Sequence, residues 1–349
     1  MASRRVVLSL LLAKVATQDC TVPGSNIRAL QNALTRIKAR NAYQCTTNTD
    51  MSIWDLGGTP AFHNVPPFSA AVVSLLAPVY DCPWTLERSN YVSEFNFDGG
   101  KWTCGLKELS DSGQPCVVYS FGSNADSLFE DHVRRTSPSC EIHIFDPNSA
   151  PPPKLEEKGY VFHKLGLCSS ATKAKGAGFP CNTIRGIMRQ LNHTYVDILK
   201  ADVEGEEFSL MATEPWSQHA LHIGQLQLEV HLWMLGPSGR FAKLDVRLPK
   251  LLQNYIQPLE RAGFFLQTTE PVSYGGSGYE FSFLNVNWNP FAPREHHLGR
   301  GLYRPAMYPK DAPCPAASEG RPLKFQGKKF QGSSGRLAER VEKQKRNDV

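Results

Sequence analysis

The chain is most constrained by a regular alternation of short apolar runs with helix-like stretches between residues 116 and 286. Runs rich in β-branched and aromatic residues occur at about 116–121, 141–145, 160–165, 196–201, 223–230, 264–269 and 279–286. Amphipathic patterns typical of helices occur at about 126–135, 182–191, 206–213 and 247–262. Strands that alternate with helices predict a parallel sheet, and such sheets bind ligands beyond the C-terminal ends of their strands.

The last two predicted strands are joined in a different way. The Gly-rich segment that connects them, EPVSYGGSGY, is long enough for a hairpin and too short for a helical crossover. We therefore predict an α/β, Rossmann-like sheet of seven mostly parallel strands, with one antiparallel strand near its edge and helices on both faces. This is the architecture of class I methyltransferases, whereas a dinucleotide-binding dehydrogenase would continue with a parallel crossover.

The loop after the first core strand predicts a cofactor site. Gly122 lets a ligand approach the backbone closely, but the three spaced glycines that seat a pyrophosphate are absent. A ligand without phosphates, such as S-adenosylmethionine, needs no such cradle. Asp146 follows Gly122 by about 20–25 residues, which is the spacing of a carboxylate that accepts hydrogen bonds from ribose hydroxyls. We assign Ser120, Gly122, Asn124 and Asp146 to cofactor binding, with a turn cap as the alternative role of Asp146.

Acidic side chains follow two further strands that should be neighbours. Asp202 and Glu204 come after DILKA, and Glu229 and His231 end the next strand. Carboxylates beside an imidazole can bind a divalent metal or take a proton from a hydroxyl. We assign Glu204, His231 and Glu229 to catalysis, Asp202 to the cofactor, and none of them to a metal. The alternative is that some of these side chains cap turns or pair with Lys200.

The net charge of +5 lies in the C-terminal segment 315–349, which holds nine Lys or Arg and four Asp or Glu. The remainder of the chain carries equal numbers of each sign, so the core shows no electrostatic footprint for nucleic acid. The segment also repeats KFQG at 324–327 and 329–332, and we expect it to be disordered. We divide the chain into an extension at 1–94, a catalytic domain at 95–290, and a Pro-rich segment with a basic tail at 291–349.

The N-terminus hints at export. Arg4 and Arg5 precede an apolar stretch at 6–13, which is the form of a signal peptide, although an amphipathic helix is the alternative. No run reaches the ~18 apolar residues of a membrane span. The sequon at Asn192 is compatible with secretion, so we slightly favour the secretory pathway or the extracellular space over the cytoplasm.

The nine cysteines and most histidines belong to no motif. No CxxC pair occurs, which gives little support to a structural zinc site, and reduced thiols and disulfides both remain open. The histidines outside the acidic cluster have no ligand-like context. We therefore expect structural or solvated roles for them, for example at His63, His132, His143 and His163.

Several motifs together resemble the methyltransferase-like protein 24 group. The matching segments, over about 95–290, are GGKWTCGL, YSFGSNADSLFE, CEIHIFDPN, DILKADVEGEEF, QLQLEVH and FSFLNVNW. The resemblance implies the class I methyltransferase fold and S-adenosylmethionine as the methyl donor. It does not supply the acceptor, which we leave open among small molecules, glycans and proteins.

The residues leave three functions open. The first is a methyltransferase that acts on oxygen and aligns the acceptor hydroxyl for displacement at a sulfonium. The second is a metal-dependent glycosyltransferase in which Asp202 and Glu204 hold a metal and a nucleotide sugar. The third is a non-catalytic binding module with the same fold.

Overall fold

The computed structural model describes residues 24–47, 76–89, 100–168, 178–213, 222–231, 252–271 and 278–292, together with 307 and 309. The predicted leader and the predicted disordered tail at 315–349 lie outside these ranges. Among the described helices, none combines the length and the apolar character that a membrane crossing needs.

The strands fall at the following positions: β1 Leu86–Arg88, β2 Trp102–Cys104, β3 Cys116–Phe121, β4 Cys140–Phe145, β5 Val161–His163, β6 Gly166–Leu167, β7 Cys181–Asn182, β8 Val196–Ala201, β9 Ile223–His231, β10 Phe264–Pro271 and β11 Gly278–Asn285. The helices are α1 Gly24–Thr47, α2 Leu106–Asp111, α3 Leu128–Thr136, α4 Leu155–Lys158, α5 Ile184–Gln190, α6 Glu206–Thr213 and α7 Gln257–Arg261. A π-helical turn at Leu252–Ile256 leads into α7.

Seven strands form the central sheet in the order β10-β11-β9-β8-β3-β4-β5. The pairs from β9 to β5 are parallel, whereas β11 runs antiparallel to both of its neighbours, β9 and β10. The predicted class I methyltransferase sheet, with one antiparallel strand next to the edge, is confirmed. The strand predicted at 160–165 is shorter than expected, because the chain then turns and residues 166–167 pair with 181–182.

The central strands are buried throughout. Every residue of β3, β8 and β9 is buried. Strand β3 is mostly apolar, whereas β8 and β9 also bury hydrogen-bonded polar side chains such as Asp197, Gln225 and Gln227. Helical segments cover both faces. Glu130 of α3 lies against Ser120, and His193, just after α5, contacts Tyr119. Successive residues of a strand point to opposite faces, so these two contacts lie on opposite sides of the sheet.

Segments before the predicted boundary at residue 94 also contact the core. Helix α1 contributes Leu30, Ala33 and Ile37 to the main hydrophobic cluster. Its Arg40 forms two buried hydrogen bonds to Glu260 of α7, at 2.8 and 2.6 Å. Strand β1 pairs with β2 in an antiparallel ladder. The described part of the extension is therefore packed onto the sheet.

Within the described part of the chain, three disulfides answer the open question for the cysteines that they join. They join Cys82 to Cys104, Cys116 to Cys140 and Cys168 to Cys181. The second links residues that are direct partners in the β3–β4 ladder, and the third links the short strand β7 to the residue after β6. Each bond closes a loop of 13 to 24 residues.

Candidate active site

Gly122 joins the carboxyl ends of three neighbouring strands. Its backbone nitrogen donates to Phe145 O of β4, at 2.9 Å, and its carbonyl accepts from Lys200 Nζ of β8, at 2.7 Å. Its φ of +74° lies in the left-handed region, and a Cβ there would overlap the carbonyl of Asp202. Only glycine meets both conditions. The loop consequently lies against the end of β8 with bare backbone.

Asp146 organises the loops at the same edge. Its Oδ2 accepts from Asn124 N, at 3.0 Å, while Oδ1 accepts from Asn148 N and Ser149 N, at 2.9 and 2.8 Å. Burial opposes the charge, but these backbone donors outweigh it and hold the pKa of Asp146 below its usual range. They occupy three of about four acceptor positions on the carboxylate. Asp146 therefore caps its own turn and ties it to the Gly122 loop.

The other two predicted cofactor residues differ in position. Asn124 lies in the loop with φ of +49°, a left-handed conformation that asparagine adopts more readily than most residues. Ser120 is fully buried within β3, on the face covered by α3, where Glu130 is also buried. The Ser120 side chain thus points into the protein interior next to α3.

The acidic side chains that follow β8 converge on His231 at the end of β9. The distances from His231 Nε2 are 3.4 Å to Glu229 Oε1, 3.8 Å to Glu204 Oε2 and 3.9 Å to Asp202 Oδ1. Strands β8 and β9 are parallel neighbours, so their carboxyl ends meet at one edge of the sheet. The structure brings the carboxylates of three predicted residues together around the imidazole of the fourth.

Glu207, which was not predicted as a site residue, connects His231 to the backbone that follows β8. Its Oε1 accepts from Val203 N at 2.9 Å and lies 3.2 Å from His231 Nδ1. Its Oε2 accepts from Gly205 N at 2.6 Å. The side chain is fully buried. Its position is the signal that could have indicated it: Glu207 lies in the first turn of the helix that follows the Asp202–Gly205 tip, where a carboxylate can accept from unpaired backbone N–H groups.

Lys101 and Glu280 also belong to the cluster and were missed. Lys101 Nζ lies 3.3 Å from Glu229 Oε2 and within hydrogen-bonding distance of Glu280 Oε1, and its side chain is only 1% exposed. Residue 101 precedes β2 and residue 280 lies on β11, so the contact crosses 179 positions of the chain. No local pattern in the sequence indicates such a pair.

The charges of the cluster are set by burial and by these contacts. Burial raises the pKa of Asp202 to about 6 against the opposing charges of Lys200 and Lys101. Burial alone would lower the pKa of His231, but hydrogen bonds to Glu207 and Glu229 outweigh it and raise the pKa to about 11. Burial would likewise raise the pKa of Glu229, yet His231 and Lys101 hold it well below its usual range. At neutral pH the centre is an imidazolium surrounded by carboxylates.

Comparisons with known proteins agree with this architecture. A family model described as a methyltransferase domain matches residues 72–285. The probable methyltransferase-like protein 24 of Homo sapiens is 27% identical over 191 residues, which cover 50% of this chain and 51% of that protein, and the Rattus norvegicus protein is 26% identical over the same shares. The chain thus matches about half the length of these curated relatives.

Solved structures give more distant likenesses. A fibrillarin pre-rRNA processing protein of Methanococcus jannaschii matches with a TM-score of 0.31 and 10% identity, over 58% of this chain and 88% of that one. A SAM-dependent methyltransferase from Aquifex aeolicus matches with a TM-score of 0.25 and 12% identity, over 51% and 88%. The fold assignment rests on the strand order, and the family model spans well over half of the chain. The chain therefore belongs to the methyltransferase-domain family.

Proposed function

We propose that this chain transfers a methyl group from S-adenosylmethionine to a hydroxyl oxygen of an acceptor, at the carboxyl edge of β3, β4, β8 and β9. The observation that carries the proposal is the convergence of Asp202, Glu204 and Glu229 on His231, next to the bare backbone of Gly122. The Gly122 loop can bind a cationic nucleoside, and the carboxylates around His231 can accept a proton.

Three groups support the cofactor half of the proposal. The Gly122 loop allows close approach of a nucleoside without providing a phosphate cradle. Asp146 Oδ2 receives a single backbone donor in the structure, so it retains an acceptor position for a ribose hydroxyl. The backbone of Asp202 lies against the Gly122 loop, and its carboxylate offers a negative partner for the amino and sulfonium groups of S-adenosylmethionine.

Glu204 is the proton acceptor in this proposal. Its side chain is 65% exposed, whereas Glu229 is almost fully buried and His231 is held protonated. The acceptor hydroxyl attacks the methyl carbon, the carbon–sulfur bond breaks with its electron pair left on sulfur, and the hydroxyl proton passes to Glu204. His231 and Glu229 act as positioning residues that hold the Glu204 carboxylate at the edge of the sheet.

A metal at this edge is the less favoured alternative. Asp202, Glu207 and His231 do present donor atoms within 4.8 Å of one another. Both oxygens of Glu207, however, already accept from backbone nitrogens, and the raised pKa of His231 favours an imidazolium over a neutral ligand. We therefore propose a metal-free proton transfer, in which these carboxylates stabilise the cation of His231.

Calorimetric titration tests the cofactor. We expect S-adenosylmethionine or its demethylated product to bind with a dissociation constant of about 1–100 µM, and NAD to bind far more weakly. Asp146→Ala should weaken binding by about 10- to 100-fold, because a charged acceptor of ribose hydrogen bonds is lost. Asp126→Ala is the matched control, since Asp126 caps the start of α3 through Ser127 N and Leu128 N in the same loop. Equal affinity in wild type and Asp146→Ala would remove Asp146 from the site.

Transfer of a labelled methyl group to panels of phenols, glycans and hydroxylated peptides tests the reaction. Glu204→Gln should lower turnover by about 10²–10⁴-fold while the affinity for S-adenosylmethionine stays close to wild type. Glu157→Gln, on the exposed surface of α4, should change neither value. Binding without transfer to any acceptor would favour a non-catalytic module. Binding of a nucleotide sugar that requires manganese would favour the glycosyltransferase.

A further inference from the structure

A second cluster of ligand-type side chains lies on β4, away from the methyl-transfer edge. Glu141 and His143 are two residues apart on β4 and therefore point to the same face. The turn after α5 brings His193 to them, and its backbone nitrogen donates to Met188 O at 2.8 Å. Glu141 Oε1 lies 2.8 Å from His143 Nε2 and 3.5 Å from His193 Nε2. Two imidazole nitrogens thus converge on a single carboxylate oxygen.

The outer nitrogens of both rings have partners of their own. His193 Nδ1 lies 2.7 Å from Tyr119 Oη, and His143 Nδ1 lies 2.9 Å from His163 Nε2. Each ring can donate its Nδ1–H to that partner and leave a lone pair on Nε2. Histidines that bind metals almost always donate their other ring N–H in this way, which fixes the tautomer and the ring orientation.

Aromatic side chains of neighbouring strands also pack around the imidazole of His143. Tyr119, on the adjacent strand β3, packs edge-on against His143 with centroids 5.6 Å apart. His163, on β5, stacks on Phe145 at 4.5 Å, and Phe145 stacks on Phe121 at 4.5 Å. This packing limits the motion of the two ligand rings before any ion arrives. The entropy lost on binding an ion is correspondingly small.

We propose that Glu141, His143 and His193 bind a divalent transition metal, with Zn²⁺ as the expected ion. Two imidazoles and one carboxylate are a zinc ligand set, and imidazole selects against Mg²⁺ and Ca²⁺. Ligands around a tetrahedral Zn²⁺ lie about 3.3 Å apart, and the three donor atoms already lie within 4.8 Å of one another. The Glu141 side chain is 55% exposed, which provides an entry path and leaves the fourth position to water.

This site is separate from the methyl-transfer edge. Glu141 precedes Asp146 by five residues of the same strand segment, a distance of about 16 Å at about 3.3 Å per residue. A bound ion would join β4 to the turn after α5, which are otherwise distant in the chain. It would therefore stabilise the folded chain without taking part in methyl transfer.

Titration of Zn²⁺ into the metal-free full-length chain, carrying no polyhistidine tag, tests the proposal. Wild type should bind a single Zn²⁺ at this site and should melt at a higher temperature with the ion than without it. Glu141→Gln and His193→Gln should each weaken binding by more than about 10-fold and remove the shift in melting temperature. Tyr119→Phe, which keeps the ring but removes the outer partner of His193, should weaken binding by about 10- to 100-fold.

His132→Gln is the matched control. His132 Nε2 lies 3.4 Å from Glu87 Oε2, so it forms a histidine–glutamate pair that belongs to neither of the described three-ligand groups. Zinc affinity should be unchanged in this variant. Cobalt(II) in place of zinc should give the intense visible absorption of a tetrahedral site in wild type and not in His193→Gln. Absence of zinc binding, or zinc binding that responds to Asp202→Asn and not to Glu141→Gln, would overturn the proposal.

Discussion

Gly122 shows how one residue connects backbone conformation to the cofactor site. Its positive φ and the carbonyl of Asp202 each exclude a side chain, for different physical reasons. The first reason is steric strain within the residue itself, and the second is overlap with a neighbouring strand. A side chain at position 122 would therefore move the loop away from the ends of β4 and β8.

Gly122→Ala should destabilise the fold much more than Gly113→Ala. Gly113 also has a positive φ, of 63°, but a Cβ there meets nothing within 4 Å, so its substitution isolates the conformational cost of about 1–2 kcal/mol. Gly122→Ala adds displacement of the Asp202 backbone and should abolish binding of S-adenosylmethionine. Denaturant unfolding and calorimetry measure the two effects. Equal free energies of unfolding for both variants would show that the backbone of β8 yields easily.

The affinity for S-adenosylmethionine should fall as the pH drops through about 6. Burial raises the pKa of Asp202 to about 6, so this carboxylate is ionised above that value and neutral below it. His231 stays protonated and Glu229 stays ionised throughout the range of pH 5 to 7. The dissociation constant should rise by up to about 10-fold per pH unit below 6. Asp202→Asn should bind more weakly at pH 7 and lose this pH dependence, and the same slope in wild type and variant would assign it to another group.

At the scale of elements, buried ion pairs tie the antiparallel edge of the sheet to the site. Lys101, just before β2, reaches Glu229 on β9 and Glu280 on β11. Burial raises the pKa of Glu280 to about 8. Burial opposes the charge of Lys101, but the carboxylates around it outweigh burial and raise its pKa. The position of Glu229 beside His231 thus depends on contacts made by two other elements.

Lys101→Met should lower the free energy of unfolding by about 3 kcal/mol, since buried Glu229 loses one of its two cationic partners and buried Glu280 loses its hydrogen-bond donor. Lys107→Met is the control, because the Lys107–Asp111 pair on α2 is more than half exposed and solvent screens its attraction. Adding Glu280→Gln to Lys101→Met should restore part of the loss. Chemical denaturation of the four proteins decides the matter. A loss no larger than that of Lys107→Met would mean that water or a shifted carboxylate replaces the lysine.

At the scale of the whole molecule, the three disulfides constrain the chain around the sheet. They join the segment before β1 to the end of β2, β3 to β4, and the residue after β6 to β7. Disulfides of this kind form and persist in oxidising compartments. We therefore expect the chain to fold efficiently only where such bonds form.

Removal of the Cys116–Cys140 bond by a double substitution to alanine should lower the free energy of unfolding by about 2–4 kcal/mol. The bond closes a loop of 24 residues, and its loss frees the unfolded chain. A reducing agent should destabilise wild type more than it destabilises this variant, because the variant has one bond fewer to lose. Unfolding curves with and without reductant provide the measurement. Equal sensitivity to reductant would show that the β3–β4 cross-link contributes nothing measurable.

The local pattern of the sequence determined the seven strands and the residues at their tips. Burial on both faces favours mostly apolar runs such as β3, and Gly122, Asp146 and Asp202 directly follow the ends of β3, β4 and β8, so both signals lie within a few neighbouring residues. The hairpin before β11 was predictable for the same reason, because the length of a connection limits the strand order.

Only the tertiary structure decided which distant side chains meet. The His231 cluster also contains Lys101, Glu207 and Glu280, and six cysteines form disulfides. No periodicity in the sequence predicts these contacts. The histidines expected to be structural show the same limit: His143 and His193 face one carboxylate because a sheet register and a helix-ending turn place them there. The physical reason is that charge pairing and metal ligation depend on distance in space, whereas a sequence pattern reports which face a residue takes within its own element.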